Sequence, residues 1–452
     1  MRRKKAAFLK MKRSFRIVDV IAFKKSRSEC RRTILNAKRR CWENYCSSMN
    51  LKTNAKMVWS VVKSLSGISN GRSFPSLSRD DGGIIADNKS KANVIATVFA
   101  RVSSSANYPA GFKSKRVTSD VLRSENITNL GTTDILNRPF TLFELQSAIA
   151  SRKNTSPGHD TICYPMLKKL STKSLQSLLR LFNSSWFEGK VPKTWKHSIV
   201  VPILKSGKDP SSASSYRPIS LTSHIGKVME VMVVKRLRWY LETRGLLHIS
   251  QSGFRRERSS VDHILRLHDA VYKSIINQSS VMAVFLDIER AYDMVWRDGL
   301  IIKLQKLGIR GLMLRWMHAL ISERSFQVRV GVEHSDVFSM ENGIPQGSVI
   351  SPLLFAVMVN DLPLAIKSDH GLFADDCAFW ESGDSISDLL RSAQSTLNEI
   401  SEWCSKWGFS ISKTKSVAML FTRKRKTCPL LLNIDGSCIS FVEKIQIPWG
   451  NI

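Results

Sequence analysis

The chain has 452 residues, enough for two or three domains and a full-sized core. Lys and Arg outnumber Asp and Glu by 69 to 37, a formal charge of +32 that suits a polyanionic partner through phosphate contacts and counterion release. No uninterrupted apolar run of about 18 residues occurs, which excludes a bilayer-spanning helix, and Met1-Arg2-Arg3-Lys4-Lys5 lacks the apolar core of a secretory signal.

Residues 1–66 read as basic helices, with 16 Lys/Arg against 2 acids over 1–40. Trp42, Tyr45, Met49, Val58, Trp59, Val62 and Leu65 recur among the charges as one apolar stripe. This suits a solvated helix pair or a nucleic-acid-gripping arm, with Lys38, Arg39 and Arg40 as candidate contacts. Residues 67–135 are rich in Ser, Gly, Asn and Asp. They read as a polar, partly disordered connector with one short helix near Lys91–Val102.

Residues 136–185 read as helices. Thr141 can cap a helix over Leu142–Ser151, with Glu144 closing a capping box. Ser156-Pro157-Gly158 is a turn, and Leu167–Phe187 is amphipathic. Ser198–Leu204 is a strand that leads into the turn Lys205–Pro210. Ile225, Val228, Met229 and Met232 fall at helical spacing in a helix running to about Leu241. Another helix covers Val261–Ile276. Next come a buried strand ending at Asp287, a helix over about Leu300–Ile321, and a strand pair around Gln327–Phe338. A helix from Ser351-Pro352, a hairpin carrying Asp375-Asp376 and a long helix over Ile386–Trp403 complete the order. No internal repeat is present.

Three carboxylates carry the chemistry. Phe373-Ala374-Asp375-Asp376 sets two of them in an apolar stretch, and Asp287 ends the apolar run Val281–Leu286. Asp rarely enters apolar surroundings unless it is paired or holds a metal, and adjacent carboxylates repel unless a cation lies beside them. Two strands ending in carboxylate suit a pair of Mg2+ ions. Two ions about 3.5–4 Å apart clamp the attacking and leaving oxygens of a phosphoryl transfer. The eight Cys show no Cys-x-x-Cys pair and no His at zinc-finger spacing, so a reduced intracellular protein of nucleus or cytoplasm, not a secreted one, is expected.

Further strings stand in order around these carboxylates. They are Ser156-Pro157-Gly158-His159-Asp160, Val191-Pro192-Lys193-Thr194-Trp195-Lys196, Tyr216-Arg217-Pro218-Ile219-Ser220-Leu221 and Gln251-Ser252-Gly253-Phe254-Arg255. Leu286-Asp287 with Ala291-Tyr292-Asp293 follows, then Gly343-Ile344-Pro345-Gln346-Gly347-Ser348, the Asp-Asp hairpin and Lys413-Thr414-Lys415. Together they resemble the reverse transcriptase of non-LTR (LINE-type) retrotransposons, most closely the jockey-like group. The resemblance implies an α+β right-hand polymerase preceded by a basic helical N-terminal extension. The polymerase would occupy 186–452, with fingers over about 186–280, a palm with an antiparallel sheet over about 281–385 and a truncated thumb over about 386–452.

The resemblance also assigns roles. Asp287, Asp375 and Asp376 become the palm carboxylates, Asp287 and Asp375 being the better metal ligands. The cofactor is a pair of Mg2+ ions, with Mn2+ as a substitute. Tyr292 would wall off a 2′-hydroxyl and so select deoxynucleotides. Gln346 and Gly347 would meet nucleotide and template, Lys205 and Arg217 would grip the triphosphate, and Arg255 would contact nucleic acid. Lys413 would protonate the leaving pyrophosphate, with Lys415 as its rival. The implied partners are an RNA template, a DNA primer and deoxynucleoside triphosphates, with no membrane. The implied reaction is RNA-directed DNA synthesis by a nucleotidyltransferase. An inert relic that binds RNA or DNA by charge, and a maturase-like splicing cofactor, are the competing readings.

In relatives an endonuclease usually precedes the polymerase, and a strand reading F-K-F-L-G-V follows near the end. Here the sequence after Lys444 runs Ile445-Gln446-Ile447-Pro448-Trp449-Gly450. One codon choice for that stretch, moved by one base, encodes F-K-F-L-G-V. The expectation is a frameshift just after Lys444 that removes most of the thumb.

Overall fold

The computed structural model describes residues 2–14, 16–48, 74–78, 83–109, 112, 135–424, 430–443, 446–447 and 450–451. The chain divides into two compact units, Met1–Ser73 and Phe74–Ile452. In the first unit α1 (Arg2–Ser14) folds back on α2 (Ile17–Ser48). Phe8 meets Phe23 with ring centroids 5.3 Å apart, and Asp19 accepts the Ser14 hydroxyl at 2.6 Å. Arg39 and Arg40 are exposed on α2. The side chain of Lys38 and the expected stripe over 49–66 lie outside the described residues.

The second unit begins with a small ribbon, β1 (Leu77–Ser78) and β2 (Ile84–Ile85), followed by α3 (Asn88–Val102). Asp87 caps α3 by accepting the Ser90 amide at 2.7 Å. Ala92, Ile95 and Ala96 recur on one face of α3 and are buried against Val200, Tyr216, Phe326 and Val328. The helix expected near Lys91–Val102 is α3, starting three residues earlier, and it packs on a sheet. A stretch poor in large apolar residues still presents one helical face, and that face covers a sheet.

The longer helices that follow are α4 (Leu142–Ala150), α5 (Thr172–Glu188), α6 (His224–Thr243), α7 (Ser260–Ile276), α8 (Arg297–Lys306), α9 (Gly311–Ile321), α10 (Ser351–Met358) and α11 (Ile386–Trp407). The Thr141–Glu144 capping box forms on α4. Arg236 clamps its outer side, donating to both Glu144 carboxylate oxygens at 2.7 and 2.9 Å.

One sheet contains β3 (His197–Leu204), β4 (Tyr216–Thr222), β6 (Arg324–Val330), β7 (Glu333–His334) and β8 (Phe338–Met340). Its order is β4-β3-β6-β7, with β8 also on β6, and β3 runs parallel to β6. The other sheet contains β5 (Ser280–Asp287), β9 (Asp369–Phe373), β10 (Asp376–Gly383), β11 (Val417–Phe421) and β14 (Ser440–Phe441), in the order β14-β11-β5-β10-β9. Two small ribbons complete the chain, β12 (Asn433–Ile434) with β13 (Ser437–Cys438), and β15 (Gln446–Ile447) with β16 (Gly450–Asn451).

The apolar run of β5 is explained by cover on both faces. Val281, Ala283 and Phe285 pack with Leu267 of α7, while Met282, Val284 and Leu286 enter the main core with Leu397 and Ile400 of α11.

Two expected boundaries differ. The strands within 324–340 pair with β3, so the stretch expected as palm over 281–385 leaves the Asp287 sheet midway and returns at β9. Conversely, β11 and β14 come from the stretch expected as thumb and complete the Asp287 sheet, β11 lying antiparallel to β5. Of the expected frameshift junction, Lys444 and Ile445 lie outside the described residues. Among the described residues no helix is long and apolar enough to cross a membrane.

The single helix expected over 300–321 is two, α8 and α9. Gly308 and Gly311 take φ of +83° and +66° between them, in the left-handed region that favours glycine. A Cβ on Gly311 would lie 2.8 Å from Asn137 Oδ1, the atom that accepts the Met313 amide at 3.1 Å. Gly311→Ala should therefore cost about 1–3 kcal/mol, from the backbone penalty and overpacking together. Urea unfolding measures this; an unchanged midpoint would contradict the assigned role of Gly311.

Candidate active site

The site begins with strand register. In the antiparallel pair of β5 and β10, Asp287 lies directly opposite Asp376 and Leu286 opposite Cys377. Asp375 occupies the turn between β9 and β10, reached through Ala374 at φ +62°. Three Asp residues thus come to one end of a sheet because backbone hydrogen bonds fix the strand register.

That turn is braced from behind. Ser252 N donates to Leu372 O at 2.9 Å and Leu372 N to Ser250 O at 2.9 Å. Gln251 Oε1 accepts the Gly253 amide at 2.9 Å. A Cβ on Gly253 would lie 2.3 Å from Ala374 N, so only glycine lets this segment press against the turn. This is a physical reason for the string Gln251-Ser252-Gly253-Phe254.

A cation reaches the carboxylates from the segment before β11. Glu289 N donates to Ser410 O and Ser412 N to Asp287 O, each at 2.8 Å. This pairing delivers Lys415 Nζ to 2.9 Å from Asp287 Oδ2. Burial raises the Asp375 carboxyl above its ordinary value, the neighbouring Asp287 adds to the rise, and Lys415 opposes it. Among the described residues no group of three or more His, Cys, Asp or Glu side chains is already arranged around a common metal position. The donor set nevertheless fits a hard divalent cation. It consists of carboxylate oxygens, one of them resisting ionisation, with an ammonium supplying the positive charge.

Beside the carboxylates lies an aromatic floor. Tyr292 stacks on Phe355 with centroids 4.9 Å apart and interplanar angle 13°, and meets Phe254 edge-on at 6.4 Å. Burial, and then the charge of Asp375, push its phenol well above the ordinary tyrosine range. Gln346 donates through Nε2 to both oxygens of Asp293, at 3.1 Å each. Gly347 has φ +98°, and a Cβ there would sit 2.7 Å from Ser220 O of β4.

The loop Gly343–Ile350 is held at both ends. Arg297 donates to the Gly343 and Met340 carbonyls at 2.9 Å each. Gly343 N and Ile344 N reach Val295 O and Tyr292 O, also at 2.9 Å. At the far end buried Glu230 accepts from Val349 N at 2.6 Å and from the Ser348 hydroxyl at 2.5 Å, at the start of α10, where a helix favours negative charge.

The basic candidates divide. Lys205 lies past the end of β3 and Arg217 sits exposed in β4, opposite Ile203. Burial lowers the Lys205 ammonium, followed by repulsion from Arg217, Lys208 and Lys415, so this hairpin lies within electrostatic reach of the carboxylate end. Lys413 does not join the site; its Nζ donates to Asp435 O at 3.1 Å. Arg255 is a correction. Its side chain is 8% exposed and its guanidinium forks onto Glu242 at 2.6 and 3.0 Å. It also donates to the His248 carbonyl at 2.9 Å. Its donors are occupied within the fold, so it braces the loop and is not free to contact nucleic acid. Arg39 and Arg40 belong to the other unit, and Arg39 faces Glu43 at 3.9 Å.

Glu230 and Asp293 were not singled out from sequence. Glu230 carried a signal, a lone acid within Val228-Met229-Glu230-Val231-Met232. Asp293 ends the string Ala291-Tyr292-Asp293, in which the resemblance assigns a role to Tyr292 alone.

This arrangement agrees with a match to a known family. The reverse transcriptase (RNA-dependent DNA polymerase) model covers residues 203–435. The chain belongs to the reverse transcriptase family. Members of this family generally use divalent metal ions, usually Mg2+. The chain is 33% identical over 296 residues to "Probable RNA-directed DNA polymerase from transposon BS" of Drosophila melanogaster, covering 64% of this chain and 33% of that one. It is 30% identical over 298 residues to the RNA-directed DNA polymerase from mobile element jockey of Drosophila melanogaster, covering 64% and 32%. A Pol polyprotein from type-1 retrotransposable element R2 of Popillia japonica is 24% identical, covering 68% and 44%. The chain thus spans about a third of the length of the first two relatives. The jockey group that the ordered strings resemble is among them.

Gly253→Ala tests the brace. The added methyl must displace the Asp375 turn, and a stability loss of about 1–3 kcal/mol is expected in urea. Wild-type stability would contradict the close packing.

Proposed function

We propose that this chain is the polymerase segment of an RNA-directed DNA polymerase that adds deoxynucleotides to a primer 3′-hydroxyl on an RNA template. The observation that carries the proposal is the meeting of Asp287 and Asp375 with Lys415 at the end of the β5–β10 pair, beside Tyr292. On this reading the β5 sheet is the palm, and the β3–β4 hairpin with its Lys205 and Arg217 is part of the fingers.

Asp287 and Asp375 would hold two Mg2+ ions, or Mn2+ in their place, with Asp376 supporting from the opposite strand. The ions supply charge stabilisation for the attacking 3′-oxygen and the departing pyrophosphate. The protein's own part is positioning. The Tyr292 ring, fixed flat on Phe355, forms the wall against a 2′-hydroxyl. Arg217 and Lys205 offer donors to the triphosphate, and the Gln346–Gly347 loop lies close to β4, where nucleotide and template would meet. On this reading Lys415 rather than Lys413 gives a proton to the pyrophosphate, a role supported by its pairing with Asp287 while Lys413 bonds the Asp435 carbonyl. While it pairs with Asp287 it stands where a metal's charge is needed, so metal binding and release of the ammonium are coupled.

Extension of oligo(dT) on poly(rA) with Mg2+ tests the reading. Wild type should incorporate deoxythymidine, and Asp375→Ala should fall to background while retaining RNA on a filter. Equal incorporation by both proteins would refute the metal-site assignment. Lys415→Met should slow incorporation by about 100-fold, the lower range for loss of a general acid. It should also tighten Mn2+ binding measured by electron paramagnetic resonance, because the competing ammonium is gone. Weaker Mn2+ binding would contradict the coupling.

A further inference from the structure

The proposed reaction leaves one partly buried carboxylate without a task. Asp293 directly follows the sugar-wall residue Tyr292 but lies six positions from Asp287. Both of its oxygens accept from a single group, the Gln346 amide nitrogen, at 3.1 Å each. An ionised carboxylate can only accept, so it fixes the amide orientation by chemistry. Nε2 must face Asp293, and Oε1 must face the other way. The loop that carries Gln346 is held independently by Arg297 and Glu230, so Asp293 is not needed to keep the loop in place.

We infer that Asp293 is a positioning residue for nucleotide recognition: it pins the Gln346 amide by its nitrogen, so that Oε1 is presented as a fixed hydrogen-bond acceptor to the incoming deoxynucleotide. This rests on the polymerase reading above. Burial raises the Asp293 carboxyl to about 6, with Gln346 and then Arg290 pulling it down. Keeping a carboxylate ionised there opposes folding. Its raised value means that stability from this group is greatest while it is protonated and falls as pH rises between the ordinary carboxylate range and about 6. A residue kept only for stability would not be charged at that position. Once protonated, Asp293 could donate to Oε1, and the amide would turn over.

The test is Asp293→Asn, whose amide can face Gln346 in either sense. At pH 8 the variant should raise KM for deoxythymidine triphosphate about tenfold, change kcat less, and melt no lower than wild type. The wild-type KM should rise as pH falls through about 6, and the ratio of variant to wild-type KM should shrink over that range. Dividing one by the other removes the titration of Asp375, which both proteins share. In a double-mutant cycle, Asp293→Asn should add nothing to KM once Gln346→Met is present. An unchanged KM in Asp293→Asn, or additive effects in the cycle, would overturn the inference. If wild type fails to extend primer, the polymerase reading fails by itself. The inference is then decided by equilibrium binding of a fluorescent deoxynucleoside triphosphate. Weaker binding by both Asp293→Asn and Gln346→Met supports it, and affinity equal to wild type overturns it.

Discussion

Like charges at the end of a sheet are the constraint on which the rest of the structure depends. The β5–β10 register sets Asp287 opposite Asp376, and the turn adds Asp375. Carboxylates brought together in this way repel, and burial makes ionising Asp375 harder still. Hydrogen bonds along eight paired positions oppose that repulsion. The same repulsion makes the site receptive to cations, and Lys415 is already drawn to it.

Much of the surrounding chain can be understood as scaffolding for this strained end. Residues 250–255 brace the turn from behind, with Arg255 forked onto Glu242 to hold them. Residues 410–416 pair alongside Asp287 and bring the lysine in. Arg297 and Glu230 fix the Gly343–Ile350 loop that faces β4. Each support comes from a different part of the sequence, and the first and third place buried charge or a close-packed glycine where a looser fold would not need one.

The legible parts were those whose signal is local. The β5 strand was evident because apolar residues run unbroken to Asp287, and the α4 cap because Thr141 and Glu144 carry their partners within three residues. The three Asp residues proposed as metal ligands stood out because charge in apolar surroundings demands a cation. What stayed hidden depends on pairing across the chain. Nothing local says that Arg324–Val330 joins β3, or that Val417–Phe421 lies beside β5. Arg255 looked free for nucleic acid because Glu242 becomes its partner only through folding. Lys413 and Lys415 differ by two positions, and the backbone bond from Ser412 to Asp287 is what selects the second.

The most direct test of the account is anomalous diffraction from crystals of this chain grown with Mn2+. The account predicts Mn2+ peaks within coordination distance of both Asp287 and Asp375, with Lys415 moved off Asp287. Mn2+ bound only elsewhere, with the Lys415–Asp287 pair intact, would contradict it.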